Sequence, residues 1–183
     1  ADKYDLPVQS HLSENFGEIA WVRELCPQAA FYGDAYDQFG LFGGKHPCIM
    51  AHCVHSGDEE IERMRQNGVF VAHSPLSNAN LASGVAPVSK YLDCGLHVGI
   101  ASDVAGGETV DLFRVMADAL RDSKLRWRLL DQEVKPLSVD QVFYLATLGG
   151  GRFFGKAGSF APGYEFDAVV LDDTTLDHPQ ELT

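Results

Sequence analysis

The sequence predicts a parallel α/β fold that amounts to half of a closed barrel, and two patterns support this. Short apolar runs alternate with helical segments four times between residues 11 and 103, a spacing typical of strand–helix crossovers in a parallel sheet. Three of these runs end in His11, His52 and Asp103. A complete barrel of this class has eight strands in ~250 residues and places its chemistry at their carboxyl ends. A chain of 183 residues with four such strands therefore predicts half a barrel.

The first two units are predicted from their boundaries. A strand over residues 6–10 leads to a helix that Asn15 caps, and Pro27 ends that helix. The second strand, residues 48–51, is followed by Ser56, whose partner three positions later is a glutamate, as in a capping box. The helix that starts there is predicted to end at the Asn-Gly pair of residues 67–68.

The remaining elements follow the same pattern. The third strand is predicted at residues 69–72, with a polar loop at 76–84 and a short helix at 87–93, and the fourth strand at 96–101. Beyond a glycine turn, apolar residues from Val110 to Leu120 recur at helical spacing. Ser138 begins a second capping box and a helix through Leu148, and residues 168–171 are predicted as a last strand.

Charge and composition exclude several classes of partner. The chain has 14 basic and 26 acidic residues, a net charge of -12, and no basic cluster. Nucleic acid and anionic membrane surfaces are therefore not expected partners. No apolar run approaches the ~20 residues that span a bilayer. The four cysteines form no C-x-x-C pair, so reduced thiols and a cytoplasmic location are expected.

The strand ends predict a metal site at His11, His52 and Asp103. Imidazole and carboxylate groups are the usual ligands of a catalytic zinc ion, which keeps one position open for water. A single histidine after an apolar run also fits a hydrogen-bonded structural role, and an aspartate before a glycine turn also fits a turn former. Because three such residues stand at three successive strand ends, the metal site is as good an interpretation of the pattern as these structural roles.

Three further residues are weaker candidates. Glu14 lies one helical turn after His11, where a carboxylate can pass a proton from water to a substrate nitrogen. The alternative is a first-turn carboxylate that the helix dipole favours. His73 ends a strand and is expected to form hydrogen bonds near the site, whereas His55 is expected to face solvent before a helix. The metalloprotease motif H-E-x-x-H and the H-x-E with P-C-x-x-C deaminase signature are absent.

Several stretches resemble one family. Residues 11–15 (HLSEN), 51–53 (AHC), 72–78 (AHSPLSN) and 102–107 (SDVAGG) resemble the amidohydrolase superfamily, and within it the guanine deaminase branch. Two stretches nearer the carboxyl terminus, residues 146–150 and 162–168, resemble the same branch.

This resemblance implies a fold and a set of site residues. Residues 1–165 would form strands five to eight of a (β/α)₈ barrel of the TIM type, and residues 166–183 would begin a small β-sandwich. His11, His52 and Asp103 would bind Zn²⁺, with Fe²⁺ as an alternative. Asp103 would also accept a proton, Glu14 would be the proton shuttle, and His11, Glu14 and Asp103 would contact the substrate.

The resemblance also implies a reaction, the hydrolytic deamination of guanine to xanthine and ammonia. However, the H-x-H pair that this family carries on strand one is absent. We therefore expect the chain to be the carboxyl-terminal part of a longer, homodimeric protein, and to have little activity without the amino-terminal half of the barrel. Two alternatives remain open: an aminohydrolase for another amino-heterocycle or a chlorotriazine, and a non-catalytic half-barrel that assembles with a partner chain.

Overall fold

The structure is a computed structural model that describes residues 1–172 and residue 174. Its centre is a four-stranded parallel sheet in the order β1-β2-β3-β4. The strands are β1 (Val8–Leu12), β2 (Cys48–His52), β3 (Phe70–His73) and β4 (His97–Ile100). The α/β class with a parallel sheet is thus confirmed, and each strand lies within two residues of its predicted limits.

Helices connect and follow the strands. They are α1 (Phe16–Leu25), α2 (Asp34–Asp37), α3 (Asp58–Asn67), α4 (Pro75–Asn80), α5 (Val88–Asp93), α6 (Leu112–Leu129) and α7 (Val139–Tyr144). A π-helical turn over Leu145–Gly149 and a 3₁₀ turn over Arg152–Phe154 follow α7. None of the described helices is long and apolar enough to cross a membrane.

The two faces of the sheet differ. Alternate strand residues, Met50, Val71 and Val98 among them, are fully buried against apolar side chains of the helices, such as Met64 and Tyr91. The opposite face opens on a cavity of ≈ 370 Å³ lined by Pro7, Val8, Gln9, Ile49, Ala72 and Phe153. In known parallel sheets both faces are usually covered, so this open face is unusual for a complete α/β domain.

Beyond β4, glycines allow an unusually close contact. A Cβ on Gly99 of β4 would lie 2.8 Å from the Cα of Gly150, which is shorter than the closest approach of real carbon atoms. The backbone of the π-helical turn therefore lies directly against the strand, and the glycine-rich stretch after Leu148 serves this packing.

Three predictions about elements were wrong. Helix α3 has Gly57 as its N-cap and no side-chain cap bond, so Ser56 forms no capping box. Residues 76–84 were predicted as a polar loop, but the first part of this segment belongs to helix α4. Pro75 at the first helical position favours a helix start there, even though the segment is polar. Residues 168–171 form no strand: they are exposed and have no neighbouring strand to bond with. Residues 173 and 175–183, which complete the predicted β-sandwich segment, lie outside the described residues.

Candidate active site

The site is built around His52, the last residue of β2. Its side chain is buried, and its Nδ1 lies 2.9 Å from Asn78 Oδ1, on α4. An amide oxygen only accepts hydrogen bonds, so the imidazole donates from Nδ1. This bond fixes the ring so that Nε2 is the nitrogen that faces the site.

Two carboxylates converge on this nitrogen. Glu14 Oε2 lies 3.7 Å from His52 Nε2, and Asp103 Oδ2 lies 3.9 Å from it. The side chain of Glu14 is 15% exposed and that of Asp103 is 35% exposed. Two carboxylates that face each other in a partly dehydrated site are unfavourable unless a cation, either a metal ion or the imidazolium itself, lies between them. The arrangement therefore has the electrostatic character of a cation site.

His11 is the fourth predicted site residue. Its ring stacks on that of His52, with 5.2 Å between ring centroids and 14° between planes. Unlike His52, His11 is exposed, because it lies on the open face of the sheet. The structure thus brings all four predicted residues to the same end of the sheet.

The backbone at the strand ends is unusual. Ser13, His52, Cys53 and Asp103 all have positive φ, between 46° and 70°. This conformation is uncommon for residues other than glycine and costs ~1–3 kcal/mol at each position. Strained backbone of this kind is concentrated at functional sites.

Hydrogen bonds between neighbouring strand ends hold these turns. The Cys53 N–H donates to the Leu12 carbonyl, the His55 N–H to the Ser13 carbonyl, and the Ala101 N–H to that of His73, each at 2.9 Å. The strained turns therefore extend the pairing of the sheet beyond its regular strands.

Asp103 also depends on a glycine beside it. A Cβ on Gly106 would lie 2.7 Å from Ser77 Oγ and 2.9 Å from Asp103 Oδ2. Any larger residue would displace the carboxylate, so the glycine turn that follows β4 is part of the site.

These side chains pass a first test for holding a metal. Two ligand atoms bound to one zinc ion, each at roughly 2.0–2.2 Å, lie no more than about 4.4 Å apart. The distances from His52 Nε2 to the two carboxylates are within that limit. Among the described residues, however, no group of three or more His, Cys, Asp or Glu side chains is arranged as a complete metal site. The residue types match those of zinc ligands, but the described side chains do not form a coordination shell.

His73, the last residue of β3, lies beside this site. It is fully buried, and burial, with a smaller contribution from His52, lowers its pKa to about 4. His73 is thus neutral at physiological pH. Four buried polar atoms of this segment have no hydrogen-bond partner within the described part of the chain: His73 Nδ1, Ser74 Oγ, Ser77 Oγ and Asn78 Nδ2. His55 is half-buried rather than fully solvent-facing, and its Nε2 lies 2.7 Å from the Ser83 carbonyl.

Two residues that no sequence pattern predicted also support the site. Ser83 donates its hydroxyl to Glu14 Oε1 at 2.8 Å. The buried carboxylate of Glu60 accepts from Ser13 Oγ and from the Gly33 N–H, both at 2.8 Å. Neither residue belongs to a recognisable motif. Asn78, by contrast, lies within residues 72–78, which resemble the family, but its bond to His52 was not predicted.

The chain is similar in sequence to guanine deaminases over most of its length. The probable guanine deaminase of Schizosaccharomyces pombe is 38% identical over 181 residues, which are 97% of this chain and 34% of that protein. The guanine deaminase of Escherichia coli is 36% identical over 173 residues, 93% of this chain and 37% of that protein. The chain thus spans little more than a third of the length of these curated relatives.

Solved structures give the same result. A crystal structure of guanine deaminase from C. acetobutylicum with guanine bound in its active site has a TM-score of 0.92 and 51% identity, covering 96% of this chain and 42% of that one. An adenosine deaminase from Xanthomonas campestris with bound zinc has a TM-score of 0.84 and 27% identity, covering 100% of this chain and 41% of that one.

The family model described as the amidohydrolase family matches residues 1–183. The match includes the strand ends that carry His11, His52 and Asp103, so it agrees with the predicted resemblance. This chain belongs to the amidohydrolase family.

Proposed function

We propose that this chain provides the carboxyl-terminal half, strands five to eight, of the barrel of a cytosolic, zinc-dependent guanine deaminase. The observation that carries the proposal is the convergence of Glu14 and Asp103 on Nε2 of His52. The similarity to guanine deaminases over more than nine-tenths of the chain supports guanine as the substrate.

His11, His52 and Asp103 are the residues that would hold the metal, with Fe²⁺ as the alternative to Zn²⁺. A zinc ion bound there supplies Lewis-acid chemistry and makes water a nucleophile near neutral pH. The Asn78 bond to His52 fits this role, because histidine ligands usually donate their other ring nitrogen to a fixed acceptor.

The two carboxylates move the protons of the reaction. Glu14 takes one proton from the attacking water and delivers it to the ring nitrogen beside the carbon that bears the amino group. Asp103 takes the proton of the added hydroxyl and delivers it to the leaving amine. One C–O bond forms and one C–N bond breaks, so water and guanine become xanthine and ammonia.

The open face of the sheet supports the second part of the proposal. The cavity at Val8, Ile49 and Ala72 lies where the opposite strands of a closed barrel would pack. We propose that an amino-terminal half, with the family's H-x-H pair and the residues that grip the purine, covers this face, and that the complete enzyme is a homodimer.

The test uses the extended protein, which is this chain preceded by its encoded upstream residues through an H-x-H segment. We expect about one zinc ion per chain and release of ammonia from guanine. The Glu14→Gln variant should keep its zinc and lose at least about 1,000-fold in kcat, because an amide cannot carry the proton. Metal analysis and an ammonia assay measure the two quantities.

Glu24→Gln is the matched control, since Glu24 is an exposed carboxylate on α1, and it should leave kcat unchanged. Full activity of the Glu14→Gln variant would contradict the proposed mechanism. If neither the chain nor the extended protein held metal, the non-catalytic half-barrel would be the better interpretation.

A second substrate class has one specific observation in its favour, the similarity to the zinc-bound adenosine deaminase. A panel of guanine, adenosine and amino- or chlorotriazines, offered to the extended protein, separates the candidates. Deamination of another ring with guanine untouched would replace guanine as the substrate while keeping the site residues.

A further inference from the structure

Ser83 connects two strand-end segments that are distant in the sequence. It lies in the turn that follows α4, and its Oγ donates to Glu14 Oε1 at 2.8 Å across a separation of 69 residues. Ser83 is only 5% exposed, and the Glu14 side chain is 15% exposed. A charged acceptor in such a site makes this hydrogen bond stronger than one between neutral groups.

Ser83 is itself held by two other hydrogen bonds. Its N–H donates to the Asn78 carbonyl at 2.8 Å, and its carbonyl accepts from His55 Nε2 at 2.7 Å. The His55 ring stacks on Phe16, with 4.1 Å between centroids. The hydroxyl is therefore fixed in position by the same segment that orients His52 through Asn78.

The consequence concerns the two oxygens of Glu14. Ser83 occupies Oε1, which leaves Oε2 directed at His52 Nε2, 3.7 Å away. Without the hydroxyl, the glutamate would have no described side-chain donor on either oxygen, and its rotamer would be free to change. A proton carrier that is displaced by about 1 Å loses up to 100-fold in rate.

We propose that Ser83 is a positioning residue for Glu14: it fixes one carboxylate oxygen so that the other faces the reacting groups. The proposal rests on the proposed function of Glu14 as the proton carrier. It assigns to Ser83 an effect on the chemical step rather than on substrate binding or on the metal.

The experiment is a double-mutant cycle in the extended protein. Ser83→Ala should lower kcat about 10- to 100-fold, change KM less than about threefold, and leave the zinc content as in the unaltered protein. Ser83→Thr, which keeps the hydroxyl, should recover most of the rate. In the Glu14→Gln background, Ser83→Ala should have no further effect, because the residue through which it acts is gone.

Ser89→Ala is the matched control, as Ser89 is a half-buried serine on α5 with no side-chain hydrogen bond among the described residues. A crystal structure of the Ser83→Ala protein should show Glu14 in an altered or mixed rotamer. An equal loss from Ser83→Ala in both backgrounds, or an unchanged kcat, overturns this inference while the role of Glu14 stands. Full activity of Glu14→Gln instead overturns the proposed function.

Discussion

Glu60 is a buried carboxylate that takes no part in the proposed reaction, and its contacts explain why the site can form. One oxygen accepts from Ser13 Oγ, in the strained turn between His11 and Glu14, and the other accepts from the Gly33 N–H. It therefore joins α3 to two loops at the level of single atoms. The position of Glu14 depends on this support as well as on Ser83.

Removal of this carboxylate should destabilise the fold. We expect Glu60→Ala to lower the free energy of unfolding by about 2–4 kcal/mol, because it leaves two buried donors without an acceptor. Urea unfolding of the extended protein measures the change. Glu59, the exposed neighbour of Glu60 on α3, provides the control. Glu59→Ala should change the free energy of unfolding by less than about 0.5 kcal/mol. Equal stability of both variants would contradict the supporting role.

At the same scale, the sequence predicted some site residues and missed others for a physical reason. His11, His52 and Asp103 were found because each follows an apolar run, and parallel strands bring their carboxyl ends together. Ser83 and Glu60 act through contacts across 69 and 47 residues. Such contacts depend on how the crossovers pack, and no local pattern encodes that packing.

At the scale of the helices and strands, α3 and α7 form a natural comparison. Ser138 forms a complete capping box with Gln141, in which each side chain bonds the backbone of the other residue. Ser56 matches the same sequence pattern, but Gly57 is the N-cap of α3 and no side chain caps that helix. The same sequence pattern therefore has two different structural outcomes.

This difference predicts opposite results for the same substitution. Ser138→Ala should lower the free energy of unfolding by about 1 kcal/mol, since it removes the acceptor for a helix N–H. Ser56→Ala should change it by no more than about 0.5 kcal/mol, since Ser56 caps no helix N–H. Chemical denaturation of the two variants of the extended protein measures both changes. A larger loss of unfolding free energy from Ser56→Ala than from Ser138→Ala would contradict the prediction.

The elements were predicted best where burial follows hydrophobic pattern. The four strands and the end of α3 at Gly68 agree with the prediction. Helix α4 was missed because its polar residues Ser77 and Asn78 are buried in the site, and polarity was taken as a sign of a loop. The residues that misled the prediction are the ones that lie buried at the candidate site.

At the scale of the whole molecule, the two faces of the sheet should determine how the isolated chain behaves. The open face, with Ile49, Ala72 and Phe153, exposes apolar surface that a soluble domain normally covers. We expect the isolated chain to bind a hydrophobic dye such as ANS and to form heterogeneous oligomers, and the extended protein to bind no dye and to elute as a defined dimer. Dye fluorescence and size-exclusion chromatography test this, and a dye-silent, monomeric isolated chain would contradict the proposed half-barrel.

The bonds from Cys53, His55 and Ala101 to the neighbouring strand ends have a consequence for dynamics. Loops that carry catalytic residues often open locally while the scaffold stays folded. Here the turns share backbone pairing with the sheet, so their opening is coupled to the loss of the sheet itself. The active site is then one cooperative unit with the core, and slow amide exchange should extend into the turns that carry the chemistry.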